Sequence, residues 1–443
     1  MVSLTGWLLA AACFVSHVVS APADITPADI TTSGASKPKP PSQDPWYKAP
    51  SGFEAAAPGA VLKIRRAPGN LTAMATSCAA TYNILYRTTN SLYKPTWAVT
   101  TVFVPTTKAA ALLSYQHFYD SVDLDASPSY ATYAGVYYDV QVALTKGYFV
   151  NVPDYEGPLA SFSAGVISGL ATLDSVRATL NAASQIGLDR KARYAMWGYS
   201  GGALASEWAA ELQGKYAPEL KFAGVALGGL TPNSSSVLLS INQQWAAGLT
   251  PVGFPIIPFL ARHTGWKNLT VTQPSILGIS NQFPAAYNWI LAHLKETGPF
   301  NKTGFLATLK MDVAESWAAY AFQDISQYFK NGFDDLFAPL PMAVINSDGI
   351  MGRHGTPRMP VFAHKAINDE ISAVAETDKL IERFCQAGAN ILYHRNTAGF
   401  HLDEATNGHP AAEAFIDSVL KGTYAQNYKP AGCTVLTVTV SLT

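Results

Sequence analysis

Ser200 lies at the centre of GYSGG, residues 198–202, which fits the pattern G-x-S-x-G. Glycine and serine are common, so roughly one random chain in six of this length contains such a match. The flanking sequence is more informative, because an apolar run at 194–197 precedes the motif and a helix is predicted over 203–212. A strand, a sharp turn and a helix are what an exposed serine nucleophile requires. We therefore predict that Ser200 is a nucleophile and that the amide of Gly201 points at the oxyanion formed beside it.

Asp369 and His401 have the order and spacing expected of the groups that activate such a serine. A serine is a weak nucleophile and needs a base, and the base needs an acceptor that fixes its tautomer. Asp369 follows a predicted strand at 360–368, and His401 follows the next one at 390–396, with a predicted helix at 374–387 between them. The chain order Ser, Asp, His is that of α/β-hydrolases.

Other acidic residues and histidines compete for these two roles. Asp348 is the alternative acid, because it too could follow a strand. His409, at a predicted helix start, is the alternative base. His364 and His394 lie inside predicted strands and are better explained as residues of the core or of a sheet face.

Strands and helices alternate around these residues. Apart from the strands already named, strands are predicted at 99–104, 112–116, 148–154 and 222–229, and a further helix is predicted at 165–185. This alternation predicts an α/β class fold, with a mostly parallel central sheet and helices on both of its faces.

The alternation breaks in an apolar segment that follows residue 230. Between Thr231 and Ile290 the charged side chains are Arg262 and Lys267, whereas Leu, Ile, Phe, Trp and Pro are frequent. A second buried subdomain is one explanation, and a mainly helical cap with an apolar inner face over the active site is the one we favour. The predicted domains are the first part of the core at 46–230, the cap at 231–331 and the second part of the core at 332–443.

The N-terminal segment has the features of an exported protein. Residues 1–20 contain an apolar stretch and end in small residues, as in a secretory signal peptide. Residues 21–45 are rich in Pro, Thr and Ser, which predicts a linker. No later segment is apolar for long enough to cross a membrane, so the mature protein is expected to be secreted and extracellular. The candidate glycosylation sites are Asn70, Asn233, Asn268 and Asn301.

Cysteine usage agrees with export. The chain has 4 cysteines, and Cys13 lies in the predicted signal peptide. We predict a disulfide between Cys385 and Cys433, because it would join the C-terminal tail to a late helix and contribute roughly 3 to 4 kcal/mol of stability. Cys78 would then be unpaired and buried, and a different pair among these three cysteines is the alternative.

Charge and composition limit the partners. The chain is 48% hydrophobic with a formal net charge of −1, which gives no reason to expect nucleic acid. No metal-binding cluster and no nucleotide-binding loop stands out, so neither a metal nor a cofactor is expected. The expected partners are a lipid or ester substrate and the lipid–water interface, and a monomer is favoured.

The chain resembles the fungal secretory lipases related to yeast lipase A over about residues 60–435. The segments that carry the resemblance are LYRTTNS (85–91), SYQHFYDS (114–121), KGYFVNVPDYEG (146–157), GYSGGA (198–203), INDEISAV (367–374) and AGFHLDEA (398–405). The resemblance places the nucleophile on Ser200, the acid on Asp369, the base on His401 and the oxyanion donors on Asp120 and Gly201. It also implies an α/β-hydrolase fold whose apolar insertion is a lid that carries the acyl tunnel.

The role of Asp120 has two explanations. An ionised carboxylate would repel a developing oxyanion, so this residue would help through its backbone N–H, or through its side chain when protonated. Alternatively it only braces the loop.

Together these features predict a secreted serine ester hydrolase that cleaves triacylglycerols or related apolar esters through an acyl-enzyme. The alternative is a carboxylesterase or acyltransferase for a small specialised ester. A binding protein that has kept the fold without catalysis is the third possibility.

Overall fold

The computed structural model describes residues 37–246, 271–321 and 323–442. The predicted signal peptide, the first part of the predicted linker and Asn268 lie outside the described residues, as do Arg262 and Lys267.

The centre of the molecule is one sheet, which has ten strands within the described residues. The strands are β1 (Val61–Arg66), β2 (Cys78–Thr89), β3 (Pro95–Pro105), β4 (Ala111–Gln116), β5 (Phe149–Pro153), β6 (Arg193–Tyr199), β7 (Val225–Gly228), β8 (Val361–Ala366), β9 (Ile391–Asn396) and β10 (Cys433–Val438). Their order across the sheet is β1-β2-β3-β5-β4-β6-β7-β8-β9-β10. The pairs from β1 through β3 to β5 are antiparallel, and all later pairs in that order are parallel. The predicted mostly parallel sheet is confirmed.

Helices cover both faces of this sheet. The helices outside the segment between β7 and β8 are Leu71–Met74, Pro128–Ala131, Tyr138–Thr145, Gly165–Asn181, Ala183–Ile186, Gly201–Tyr216, Val374–Gln386, His401–Asn407, His409–Lys421 and Tyr424–Asn427. Neighbouring side chains of a strand point to opposite faces, and β6 shows the result. Met196 is in the apolar cluster that contains Trp208, whereas Trp197 is in the cluster that contains Phe415.

The segment between β7 and β8 is helical and has an apolar core of its own. Its helices are Ser234–Ala246, Thr272–Asn281, Pro284–His293, Lys302–Leu306, Val313–Tyr320, Phe333–Leu336 and Pro339–Asp348. Leu277 and Ile290 pack in one cluster with Phe305 and Phe329. The described part of the apolar sequence is therefore largely buried within this helical segment, which continues past the predicted boundary at residue 331.

The last residues of the predicted linker contact the core. Ser42 donates from its backbone N–H to Asp125, and the Asp44 carboxylate accepts from Arg65 at 2.7 Å. Arg65 is buried, so this ion pair attaches the start of the described chain to β1.

The predicted disulfide between Cys385 and Cys433 is confirmed, with a Cα–Cα distance of 5.9 Å. It joins the helix Val374–Gln386 to β10, the last strand of the sheet. Cys78 is unpaired as predicted, although it is half-buried rather than fully buried, and its thiol donates to Ala80 O.

Candidate active site

Ser200 lies on a sharp turn between β6 and the helix Gly201–Tyr216. Its φ of 53° and ψ of −120° are unfavourable for a residue with a side chain, and they project the hydroxyl above the edge of the sheet. A Cβ on Gly198 would lie 2.2 Å from Gly202 O, and one on Gly202 would lie 1.9 Å from Gln116 O. Both glycines are therefore required by close backbone approaches around this turn.

His401 and Asp369 form a continuous hydrogen-bonded chain with Ser200. His401 Nε2 lies 2.9 Å from Ser200 Oγ, and His401 Nδ1 lies 2.7 Å from Asp369 Oδ2. The three residues follow β6, β8 and β9, which run parallel, so their side chains meet at the carboxyl edge of the sheet. This is the arrangement of a nucleophile, a base and an acid that orients the base.

Asp369 is held in place by three further donors. The backbone N–H groups of Ile371 and Ser372 donate to Oδ1 at 2.9 and 2.8 Å, and the ammonium of Lys365 donates to Oδ2 at 2.8 Å. Burial by itself raises the pKa of Asp369, but His401 and Lys365 outweigh burial and bring that pKa well below its usual range. Asp369 is therefore ionised and can stabilise a positive imidazole.

Lys365 was not predicted from the sequence as a residue of the site. It lies in β8 with no exposed surface, and its ammonium also donates to Leu230 O at 2.7 Å. A lysine inside the apolar run at 361–366 is unusual, because a buried ammonium needs an anionic or carbonyl partner. The position of Lys365 within a predicted buried strand could therefore have indicated that it pairs with a buried acidic group.

The backbone of His401 is fixed from both sides. Its N–H donates to a carboxylate oxygen of Glu370 at 2.8 Å, and its carbonyl accepts from the hydroxyl of Tyr199. The ring is almost fully buried. The orientation of the His401 ring toward Ser200 therefore depends on Glu370, which follows β8, and on Tyr199, the last residue of β6.

Asp120 lies beside Gly201 in the structure. A Cβ on Gly201 would lie 2.1 Å from Asp120 Oδ1, and Asp120 has a φ of 42°. Within the described chain, Oδ1 is buried without a hydrogen-bond partner, and burial raises the pKa of Asp120 to about 7 although His401 lowers it. The structure brings both predicted oxyanion residues next to Ser200, and their roles stay predictions.

The alternative acid and the alternative base have other contacts. Asp348 ends the helix Pro339–Asp348 rather than a strand, and it accepts from the N–H of Val166 at 2.6 Å. His409 Nε2 lies 2.5 Å from Asp139 Oδ1.

The two histidines expected in strands are found there. His364 lies in β8, buried against Glu404 at 3.0 Å. His394 lies in β9 and packs against the ring of Phe362.

Among the cavities formed by the described residues, two small ones adjoin Ser200. One, of about 30 Å³, is lined by Phe118, Asp120, Tyr199, Ser200, Val271, Trp317, Ile371, His401 and Leu402. The other, of about 50 Å³, is lined by Asp120, Phe162, Ser163, Ser200, Gly201, Leu204, Thr231, Ser234, Val237, Val271, Ser275 and Ile371. A water needs about 10 to 15 Å³ by this kind of measure, so each cavity has room for a group of a few heavy atoms.

The candidate glycosylation sites within the described residues have different surroundings. Asn70 is exposed, whereas the amide nitrogens of Asn233 and Asn301 donate to Glu376 and to Gly298 O.

In the described part of the chain no group of His, Cys, Asp and Glu is arranged to hold a metal ion. The described helices include none that is both long and apolar enough to span a membrane.

Comparison with known families gives one match along most of the chain. The model of the family described as "Secretory lipase" matches residues 130–257 and 270–427.

Curated relatives include both esterases and lipases. The chain is similar to the trichothecene C-3 esterase of Fusarium sporotrichioides, with 43% identity over 93% of this chain and 90% of that one. It is also similar to lipase A of Arthroderma benhamiae, with 32% identity over 91% of this chain and 84% of that one. Candida albicans lipase 6 is 30% identical over 90% of this chain and 85% of its own length.

Among solved structures, the closed state of Candida antarctica lipase A has a TM-score of 0.74 and 26% identity over 87% of each chain. A second structure of Candida antarctica lipase A has a TM-score of 0.75 and 25% identity over 90% of each chain. This likeness and the parallel sheet confirm the predicted α/β-hydrolase fold.

Proposed function

The chain belongs to the secretory lipase family, and from this membership and the geometry at Ser200 we propose that it hydrolyses carboxylic esters through a serine acyl-enzyme. The observation that carries the proposal is the hydrogen-bonded chain from Ser200 Oγ through the ring of His401 to Asp369.

In the proposed reaction, Ser200 Oγ attacks the ester carbonyl while its proton passes to His401 Nε2. The ionised Asp369 stabilises the imidazole as it becomes positive. The N–H groups of Gly201 and Asp120 donate hydrogen bonds to the oxyanion. His401 then protonates the departing alcohol, and a water activated by the same ring releases the acid and restores Ser200. An alcohol in place of that water would make the reaction an acyl transfer.

For the substrate, we propose a short-chain acyl ester of a bulky alcohol. Within the described residues, the cavities of about 30 and 50 Å³ beside Ser200 suit an acetyl-sized group. The relative named a trichothecene C-3 esterase, at 43% identity, supports a specialised ester as the substrate. A trichothecene ester is therefore the first natural substrate to test.

Hydrolysis of acylglycerols is the second candidate. Relatives named lipases and the fold likeness to Candida antarctica lipase A favour it. The helical segment between β7 and β8 supplies Val271, Ser275 and Trp317 to the cavities at Ser200, which supports its proposed role as a cap. A cap that opens at a lipid surface would enlarge the acyl site.

A chain-length series separates the two candidates. The kcat/KM of p-nitrophenyl esters from acetyl to palmitoyl is compared with the release of fatty acid from emulsified triglyceride. A maximum at acetyl without activity on the emulsion supports the short-acyl esterase, and a maximum at long chains with activity on the emulsion supports the lipase. The variant Ser200→Ala should fold normally and lose several orders of magnitude in activity on every ester. Full activity in this variant would refute the proposed nucleophile.

We also propose that the protein is secreted after removal of a signal peptide at 1–20. The exposed side chain of Asn70 makes it the first glycosylation site to test. Sequencing the N-terminus of the secreted protein, and comparing the mass of the Asn70→Gln variant with that of the parent, checks both points.

A further inference from the structure

A groove of about 750 Å³ shares Phe118 with the 30 Å³ cavity at Ser200, and the mechanism described above does not use it. Its walls come from the loop after β4, from residues 130–137, from the N-terminal end of the helix Val313–Tyr320, and from Lys37, Pro38 and Asn70. We propose that this groove is the binding site for the alcohol part of the ester and that it selects neutral, compact alcohols. The proposal rests on the ester hydrolase activity proposed above.

Two elements connect the groove to the nucleophile. Phe118 lines both the groove and the 30 Å³ cavity that contains Ser200 and His401. The helix Val313–Tyr320 gives Val313 and Ala314 to the groove and Trp317 to the cavity. An ester carbonyl at Ser200 would therefore have its acyl group in a small cavity and its alcohol directed past Phe118 into the groove.

The sizes of the spaces support this division of the substrate. Pockets that bind molecules of drug size have volumes of about 300 to 1,000 Å³, a range that includes the groove and excludes both cavities at Ser200. A bulky alcohol therefore fits the groove, while the cavities leave room for a small acyl group.

The lining gives the groove a chemical preference. Rings supply much of its wall, and Tyr137 stacks on His117 with the ring centroids 3.6 Å apart. Burial lowers the pKa of His117 to about 3, so this imidazole is neutral. Aromatic walls of this kind suit a compact, largely apolar ring system.

The charged residues of the lining are mostly acidic. They are Asp123, Asp125, Asp312 and Glu315, with Lys37 as the cation. The potential in the groove should therefore be negative, which favours neutral alcohols over anionic ones.

A bulky side chain placed in the groove tests the site. Ala314 and Ala318 lie on the same helix and are both exposed, but only Ala314 lines the groove. The measured quantity is the ratio of kcat/KM for bornyl acetate to kcat/KM for ethyl acetate, two esters with the same acyl group. Ala314→Trp should lower this ratio about tenfold or more, because only the bicyclic alcohol needs the filled volume. Ala318→Trp should leave the ratio and both rates unchanged.

A second substrate pair tests the charge of the groove. Wild type should prefer phenyl acetate to 4-acetoxybenzoate, and added salt should reduce this preference. Glu315→Gln should reduce it by about twofold to threefold, since glutamine keeps the hydrogen bond to the N–H of Asp312 and removes one negative charge.

The outcomes distinguish a failure of the groove proposal from a failure of the proposed hydrolase activity. An unchanged ratio in Ala314→Trp, with normal labelling of Ser200 by a fluorophosphonate, would overturn the groove proposal and leave the hydrolase proposal intact. Failure of wild type to cleave any of these acetyl esters would reject the short-acyl hydrolase proposal, and the groove proposal with it.

Discussion

Replacing Lys365 by methionine should move the acidic limb of the activity profile to higher pH. Lys365 Nζ and His401 Nδ1 both bond to Asp369 Oδ2, at 2.8 and 2.7 Å, and both side chains are buried. The ammonium charge therefore opposes the positive charge that the imidazole acquires on protonation. Methionine has a similar length and no charge, so the variant loses this repulsion while most of the side-chain volume remains.

The geometry gives the size of the effect. The two nitrogens are at most about 5.5 Å apart, the two hydrogen-bond lengths end to end, and Coulomb's law with an effective dielectric constant of about 20 then gives about 3 kcal/mol. Since about 1.4 kcal/mol corresponds to one pH unit, the full effect is about 2 units. Structural relaxation around the missing charge reduces this, so we expect a shift of about 1 to 2 units.

The assay is kcat/KM for p-nitrophenyl acetate across the pH range, with active sites counted by fluorophosphonate titration. Lys365→Arg keeps the charge and is the matched control, in which the limb should stay in place. Within the described residues, the carboxyl groups of Glu370 and Asp120 also face His401, and they are the same in all these proteins. An acidic limb that stays in place or moves to lower pH, in a Lys365→Met protein that titrates fully, would refute the reasoning.

Asp369→Asn should lower kcat by about 10⁴-fold because the imidazole loses its anionic partner, whereas Asp348→Asn should retain wild-type kcat on p-nitrophenyl acetate; the opposite result would make Asp348 the acid. Burial raises the folded-state pKa of Asp348 to about 6, so its carboxyl contributes stability that is fully present below its unfolded pKa and is lost as pH rises through about 6. The melting temperature of Asp348→Asn relative to wild type should therefore rise between pH 4 and 7, and a constant difference would contradict the raised pKa. The double variant Cys385→Ala, Cys433→Ala should lose about 4 kcal/mol of unfolding free energy, because the disulfide closes a loop with a sequence separation of 48. Denaturant titration of the variant and the parent measures this difference, and equal unfolding free energies would contradict the prediction.

The sequence was sufficient to predict the elements that carry the candidate triad. Hydrophobic periodicity placed β4, β5, β6, β8 and β9 close to their observed bounds, because a strand buried on both faces is a short apolar run between turn residues. The polar residue that follows each run then falls at one edge of a parallel sheet. Ser200, Asp369 and His401 could be selected for this reason before any contact was known.

The strands β1, β2 and β10 were missed. They lie toward the two edges of the sheet: β1 and β2 have antiparallel neighbours, and β10 pairs with β9 on one side within the described chain. Their sequences mix apolar with polar residues. Asn83 and Thr88, for example, are polar yet buried in β2, because they bond to Thr101 and Asp174 from distant parts of the chain. No local pattern reveals such partners.

The sequence by itself thus determined the alternation of strands and helices around the candidate triad and the residues at the ends of those strands, since both depend on periods of two to four residues. Only the tertiary structure decided that Lys365 shares a carboxylate oxygen with His401, that Asp348 caps a different helix, and that a groove adjoins Phe118. These features join segments tens to hundreds of residues apart. These contacts are stabilised by burial and by partners that become neighbours only when the sheet assembles. The local sequence therefore does not predict them.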